Sequence, residues 1–271
     1  MWFGADRQQR PNLPTTSCPF CPGGLEAPEP YEVRWFPNRW PPLDDDRCEV
    51  ILFCPEHDGA LAALGADRVR RVVDLWAERT AAQASRQGVA YVLIFENRGP
   101  EVGATIAHPH GQLYALDEIP PAALRELDDG PCPICAELKS GHEVSHEGGW
   151  SVVVPHAASW PYELLIAPDE HLADLPSLSD EARTGLAAAL VDGLGRLDRL
   201  FGRPMPYMAW VHQRPTDGQA WPNAHVHVEV APLWRADGVP RYVAAGELGS
   251  GVYFNPLLPE EAAAALRRLP A

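Results

Sequence analysis

Val50-Ile51-Leu52-Phe53-Cys54-Pro55-Glu56-His57 and Leu164-Leu165-Ile166-Ala167-Pro168-Asp169-Glu170-His171 carry one pattern twice, 114 residues apart. Each is an apolar run of strand length that ends in an acidic turn and a histidine. Upstream, Cys18-Pro19-Phe20-Cys21 and Cys132-Pro133-Ile134-Cys135 stand at the same offset of 114. Downstream come helical patterns over about 59–87 and 179–201, then the strand-like runs 90–95 and 207–211. Each half then reaches a His-x-His, His108-Pro109-His110 and His225-Val226-His227, 117 residues apart. Trp40-Pro41 and Trp160-Pro161 recur at an offset of 120. Landmarks in one order at nearly one offset predict a duplicated α+β unit of roughly 115 residues. Each copy is an antiparallel sheet with one long helix on a face. The Asp128-Asp129-Gly130-Pro131 stretch marks the join, dividing the chain into repeats over 1–130 and 131–271, whose strands are free to merge into one sheet. The stretch 259–269, acidic at its start and basic at its end, reads as a short closing helix.

Composition narrows the chemistry. The 271 residues are 46% hydrophobic and 22% charged, enough for a sizeable core. The net charge of −15 argues against nucleic-acid and anionic-membrane partners, so an anionic substrate needs a local cluster of cations. Lys139 is the only lysine among 22 basic residues, and no Gly-Lys-Ser/Thr triplet exists, which excludes a phosphate-binding P-loop. The N-terminus lacks an apolar signal core and no run reaches the ~18 apolar residues of a membrane span. The expected location is the cytoplasm, where cysteines stay reduced. The six cysteines then need a reason other than disulfides.

A single Cys-x-x-Cys can be a redox pair or two buried thiols, and a lone histidine is more often a core or surface residue. Here both occur as matched sets. Cys21 to His57 and Cys135 to His171 are each 36 residues; His57 to His108 is 51, and His171 to His225 is 54. Cys18, Cys21, His57 and His108 form one expected ligand set, and Cys132, Cys135, His171 and His225 the other. Two thiolates and two imidazoles close a tetrahedral Zn²⁺ site with no open position, so both metals are expected to be structural. Cys48 and Cys54 read as buried apolar cysteines, and His142, His146 and His156 as surface or loop residues.

If the first histidine of each His-x-His is a ligand, the second lies two residues on, on the same side of a strand. It is held by its neighbour yet does not bind the metal, which describes a positioned nucleophile or base. In the first copy, Phe95-Glu96-Asn97-Arg98-Gly99 and Gly103-Ala104-Thr105 lead to His108-Pro109-His110-Gly111-Gln112. The Gly-rich run lets backbone amides approach a phosphate. Gln112 can donate an amide hydrogen bond to a phosphoryl oxygen.

The run from Phe95 to Gln112 resembles the active-site signature of the galactose-1-phosphate uridylyltransferase family, within the histidine-triad superfamily. The hydrolase branch of that superfamily carries a third histidine where Gln112 stands. The resemblance implies a duplicated histidine-triad-like fold. It implies transfer of UMP from UDP-glucose to galactose 1-phosphate through a uridylyl-histidine on His110, assisted by Gln112. It implies phosphate contacts at Arg7 and Arg10, a nucleoside segment at Phe36-Pro37-Asn38, and phosphate-side contacts at Asn97, Gly103 and Thr105. Arg241, Tyr242 and Glu247 match the hexose-binding segment, and a homodimer with sites near the interface is implied. Some members bind iron or zinc at the second site through Glu and extra His. Glu126 and His212 sit where those ligands fall and compete with the thiolate set. Glu229 stands where the first copy has Gln112, so His227 is expected to be structural or auxiliary. Two other readings remain: a nucleotide-sugar or dinucleotide phosphorylase, or transferase to another sugar phosphate, using the same histidine; and an inactive zinc-stapled binding module.

Overall fold

The structure is a computed structural model that describes residues 18–43, 46–127, 130–140 and 142–270. In chain order the strands are β1 (Arg34–Pro37), β2 (Cys48–Leu52), β3 (Tyr91–Arg98), β4 (His110–Leu116), β5 (Glu143–Glu147), β6 (Trp150–Val153), β7 (Leu164–Pro168), β8 (Tyr207–His212) and β9 (His227–Pro232), followed by a short hairpin of β10 (Trp234–Ala236) and β11 (Val239–Pro240). The helices are α1 (Ala66–Ala84), α2 (Pro121–Glu126), α3 (Pro133–Glu137), α4 (Asp180–Leu200), α5 (Ala245–Ser250) and α6 (Pro259–Arg267). The duplication is visible in the topology: β1 to β9 form one sheet in the order β1-β2-β4-β3-β8-β9-β7-β6-β5. Every neighbouring pair is antiparallel, and the two halves meet at β3 and β8.

Alternation along each strand separates two faces. On one face a registered row crosses the sheet: Val152, Ile166, Val228, Val211, Ile94 and Leu113. All six are at most 3% exposed. Val69, Val72, Val73 and Trp76 of α1 and Leu186, Leu190, Leu194 and Leu197 of α4 join them in one core. Burying each such side chain is worth roughly 1.5–3 kcal/mol. The row continues to Glu49, paired with Leu113 in register. Its buried carboxylate accepts from Arg79 of α1 at 2.7 and 3.0 Å and from Gln83 at 2.5 Å, so the charge is compensated.

The first helix is shorter than its sequence pattern. A 3-10 turn at Leu61–Ala63 is followed by Gly65 at φ 77°, a left-handed break, and regular helix begins only at Ala66. α4 starts on Ser179, whose hydroxyl accepts from the Ala182 N–H, and runs to Leu200, close to the expected span. The closing helix is α6. Cys48 and Cys54 are buried as expected, while His142, read as a surface or loop residue, is 8% exposed and stacks on the exposed His156. No helix among the described residues is long and apolar enough to cross a membrane.

On the helix-facing side, near the end of β3, Glu96 is buried and accepts from the Tyr207 hydroxyl at 2.8 Å. Beside it Arg98 pairs with Asp198 of α4 at 2.6 Å. Burial raises the Glu96 carboxyl to about 7, and the Tyr207 hydroxyl offsets only part of that shift. A carboxyl whose folded pKa exceeds its unfolded value of ~4.3 keeps a proton in the fold that the unfolded chain has lost. Its contribution is therefore complete at low pH and is lost as pH rises to about 7. Glu96→Gln retains an acceptor for Tyr207 and removes the titration. Thermal midpoints measured between about pH 5 and pH 8 should fall less steeply with pH for Glu96→Gln than for the parent, with the variant the more stable at the upper end.

Candidate active site

The loops that precede and follow the strands bring the four cysteines and four histidines together in two groups. Cys18, Cys21, His57 and His108 each offer an atom within 4.8 Å of all the others, and so do Cys132, Cys135, His171 and His225. Cys21 Sγ lies 3.6 Å from Nδ1 of both His57 and His108. In the second group Cys132 Sγ is 3.6 Å from His225 Nδ1, and Cys135 Sγ is 3.4 Å from Nδ1 of His171 and of His225. Donors at ~2.3 Å (sulfur) and ~2.0–2.1 Å (nitrogen) from one centre, at the tetrahedral angle, lie about 3.6 Å apart. These separations are the edges of two tetrahedra, and both groups are able to hold a metal ion.

The outer nitrogens agree with this. His108 Nε2 donates to the Cys54 carbonyl at 2.8 Å and His225 Nε2 to the Pro168 carbonyl at 3.0 Å, two acceptors 114 residues apart. A ring that donates from Nε2 presents an unprotonated Nδ1 to a metal. Burial pushes His225 down to about 4, which keeps it neutral.

His108 precedes β4 rather than lying in it, and β4 opens at His110. His110 Nδ1 sits 2.8 Å from the His108 carbonyl. A carbonyl only accepts, so Nδ1 carries a proton, and in the neutral ring Nε2 is the nitrogen with the lone pair. Phe20, carried by the first Cys-x-x-Cys, places its ring edge against His110 at a centroid distance of 5.1 Å. Gly111 is required by contact: a Cβ there would lie 2.9 Å from the Phe53 ring and 3.1 Å from the Phe95 carbonyl.

His110 lines a cleft of about 920 Å³ together with Asn97, Gly103 and Thr105. Gly103 has φ 87°, which closes the turn after the short helix Pro100–Val102 and aims the backbone at the cleft. Gln112 follows on the same face of β4, and its Oε1 accepts from Asn38 Nδ2 at 3.2 Å.

Comparison with known proteins decides the family. The profile of the galactose-1-phosphate uridyl transferase N-terminal domain matches residues 44–120 and that of its C-terminal domain matches residues 125–271. The chain is 35% identical to the galactose-1-phosphate uridylyltransferase of Thermotoga maritima, covering 97% of this chain and 93% of the relative. The chain belongs to the galactose-1-phosphate uridylyltransferase family. A solved uridylyltransferase structure superposes with a TM-score of 0.88 at 30% identity, over 94% of this chain and 92% of that one. An ADP-glucose phosphorylase of Arabidopsis thaliana is 27% identical over 98% of this chain and 86% of its own length.

Within this family frame the remaining sequence-selected residues fall in three places. Arg7 and Arg10 lie outside the described residues. Arg241, Tyr242 and Glu247 do not line the cleft of His110. Arg241 is buried, pairs with Glu247 at 2.5 Å and lies over the Trp160 ring at 4.6 Å. Asn255 ties the same segment to the carbonyls of Ala158 and Trp160. Tyr242 is 78% exposed.

Glu126 and His212 are not competitors for the second Cys/His group. α2 carries Glu126 to the open face of the sheet, where it meets His212 Nδ1 at 2.8 Å. His227 and Glu229 complete a third cluster able to hold a metal ion, with His227 Nε2 3.5 Å from both Glu126 and Glu229. The Cys132, Cys135, His171 and His225 set stands as one group, and the carboxylate residues form a separate one: His225 precedes β9 while His227 opens it opposite His212, so these neighbours but one fall in different groups. The signal for His227 and Glu229 was the repeat itself, since they occupy the positions of His110 and Gln112.

Cys18→Ser opens the first tetrahedron. Elemental analysis of the purified variant should show about one equivalent of metal less than the parent, with a lower thermal midpoint, because metal binding and folding are coupled.

Proposed function

We propose that the protein transfers the uridylyl group of UDP-glucose to galactose 1-phosphate, with His110 as the covalent carrier. The observation that carries this reading is the His110 Nδ1 contact to the His108 carbonyl at 2.8 Å, which leaves Nε2 as the attacking atom at the wall of the cleft. Nε2 forms a bond to the α-phosphorus as the bond to the oxygen of glucose 1-phosphate breaks. The resulting phosphoramidate bears a cationic ring and is a good leaving group. A phosphate oxygen of galactose 1-phosphate then attacks the same phosphorus, the P–N bond breaks, and neutral His110 returns. Asn97, the backbone at Gly103 and Thr105 donate to the phosphoryl oxygens, and Gln112 holds the transferred group from the next position on that face of β4.

Zinc is the metal that suits the two Cys/His groups, since two thiolates and two imidazoles match its preference. In the first group it would hold His108 and so fix the carbonyl that sets the His110 tautomer; iron or zinc suits the second half. The active unit is a homodimer in the cytoplasm. Tyr242, Leu248, Val252 and Phe254 are each more than half exposed. Covering that apolar segment with a second copy would bring Arg241, Tyr242 and Glu247 toward the partner's cleft as hexose contacts. The phosphorylase reading keeps the same first step with orthophosphate as acceptor, and its support is the ADP-glucose phosphorylase relative.

Incubation with UDP-glucose followed by mass spectrometry should show a uridylyl adduct on His110. Galactose 1-phosphate should discharge it as UDP-galactose, and discharge by orthophosphate instead would favour the phosphorylase. His110→Ala should lose the adduct and at least about 100-fold in turnover while keeping its metal content.

Gln112→His supplies a titratable proton donor beside the intermediate. The ratio of UMP to UDP-galactose formed should rise in this variant, and an unchanged ratio would leave Gln112 with packing alone.

A further inference from the structure

The Gln112 amide has two ends of nearly equal size and opposite hydrogen-bonding character. With Nε2 toward a phosphoryl oxygen it stabilises the transferred group; turned by 180° it presents an acceptor to an anion. Strand geometry does not decide between the two. The decision is made by Asn38, which follows β1 and is anchored by its own N–H to the Cys48 carbonyl at 2.8 Å.

Asn38 Oδ1 receives the backbone N–H of Trp40 at 2.9 Å. A backbone N–H only donates, so oxygen must occupy that end of Asn38, an Asx turn. Nδ2 is then the other end, and it lies 3.2 Å from Gln112 Oε1. The Tyr114 hydroxyl lies on the same oxygen at the longer distance of 3.5 Å. A donor against Oε1 leaves Nε2 as the end of Gln112 that points away from Asn38. We infer that Asn38 is a positioning residue for Gln112: the Trp40 N–H sets the Asn38 amide, and Asn38 sets the Gln112 amide with its NH₂ toward the transferred phosphoryl group.

The second repeat supports this by contrast. One open-face row runs Phe36, Val50, Gln112, Phe95, Trp210, Glu229, Leu165, Val153. It is symmetric about Phe95 and Trp210, so Gln112 matches Glu229 and Phe36 matches Val153. Two residues beyond Phe36 stands Asn38; two beyond Val153 stands Pro155, with no side-chain donor. The relay is confined to the half that holds His110.

The inference rests on the proposed role of His110 and Gln112, and its test separates the two. Asn38→Asp keeps the oxygen that accepts from Trp40, so the turn survives, but sets an acceptor against Gln112. Gln112 should then turn its NH₂ toward Asp at position 38. Turnover and KM for UDP-glucose are measured for the parent, Asn38→Asp, Asn38→Ala, Gln112→Ala and the double variant Asn38→Asp/Gln112→Ala. Side-chain amide exchange of Gln112 is followed by NMR. Asn38→Asp should lower kcat about tenfold or more, below Asn38→Ala, with a smaller change in KM, as expected for a misdirected charge-assisted hydrogen bond. It should slow exchange of the Gln112 NH₂ and cause no further loss in the Gln112→Ala background. An equal loss in both backgrounds, an unchanged kcat, or unaltered Gln112 amide exchange would each overturn the relay. The amide readout holds whether or not the enzyme turns over UDP-glucose, whereas a missing uridylyl adduct in the parent would overturn the function instead.

Discussion

The backbone pairing of β3 with β8 is the constraint on which the other features depend. Five residue pairs, from Ile94 with Val211 to Arg98 with Tyr207, join segments more than 100 residues apart. Without this seam each repeat would expose a strand edge and half of its apolar face. With it, the helix-facing rows become continuous, α1 and α4 share one core, and the opposite face becomes one registered platform. Glu96, Arg98, Tyr207 and Asp198 lie at the seam, so the strand end that carries Asn97 is clamped to α4 from below.

On that platform the two repeats place equivalent residues at equivalent points and make different chemistry of them. His110 and His227 both direct Nδ1 to the carbonyl of the histidine two residues earlier, at 2.8 and 2.7 Å. Beside His110 stand Gln112, an open cleft and a Gly-bearing loop. Beside His227 stand Glu229, Glu126 and His212, and the histidine is buried. The divergence rests on an amide nitrogen in the first half against carboxylate oxygens in the second. A donor can meet a phosphoryl group; a carboxylate repels it and suits a cation or an imidazolium.

The two Cys/His groups were legible in the sequence because two thiols and two imidazoles repeated at one spacing match metal ligation and little else. The candidate nucleophile was legible because two residues of backbone tie it to a histidine of the first Cys/His group. The His212 and Glu126 assignment was not, since register across β8 and β9 and the course of α2 decide which side chains meet. Arg241 and Glu247 matched a hexose segment by sequence, yet within one chain they pair with each other near Trp160, away from His110. The start of α1 escapes the sequence pattern because apolar periodicity runs through Gly65, whose left-handed backbone no periodicity records.

By itself the sequence determined the duplication, the α+β class, the two Cys/His groups able to hold a metal and the candidate nucleophile, all properties of residue type and spacing along the chain. Tertiary structure alone decided that the repeats share one sheet, that the second half holds two distinct clusters, and which end of the Gln112 amide faces outward. Those outcomes depend on hydrogen-bond donors and acceptors meeting across strands, and such contacts have no fixed spacing in sequence.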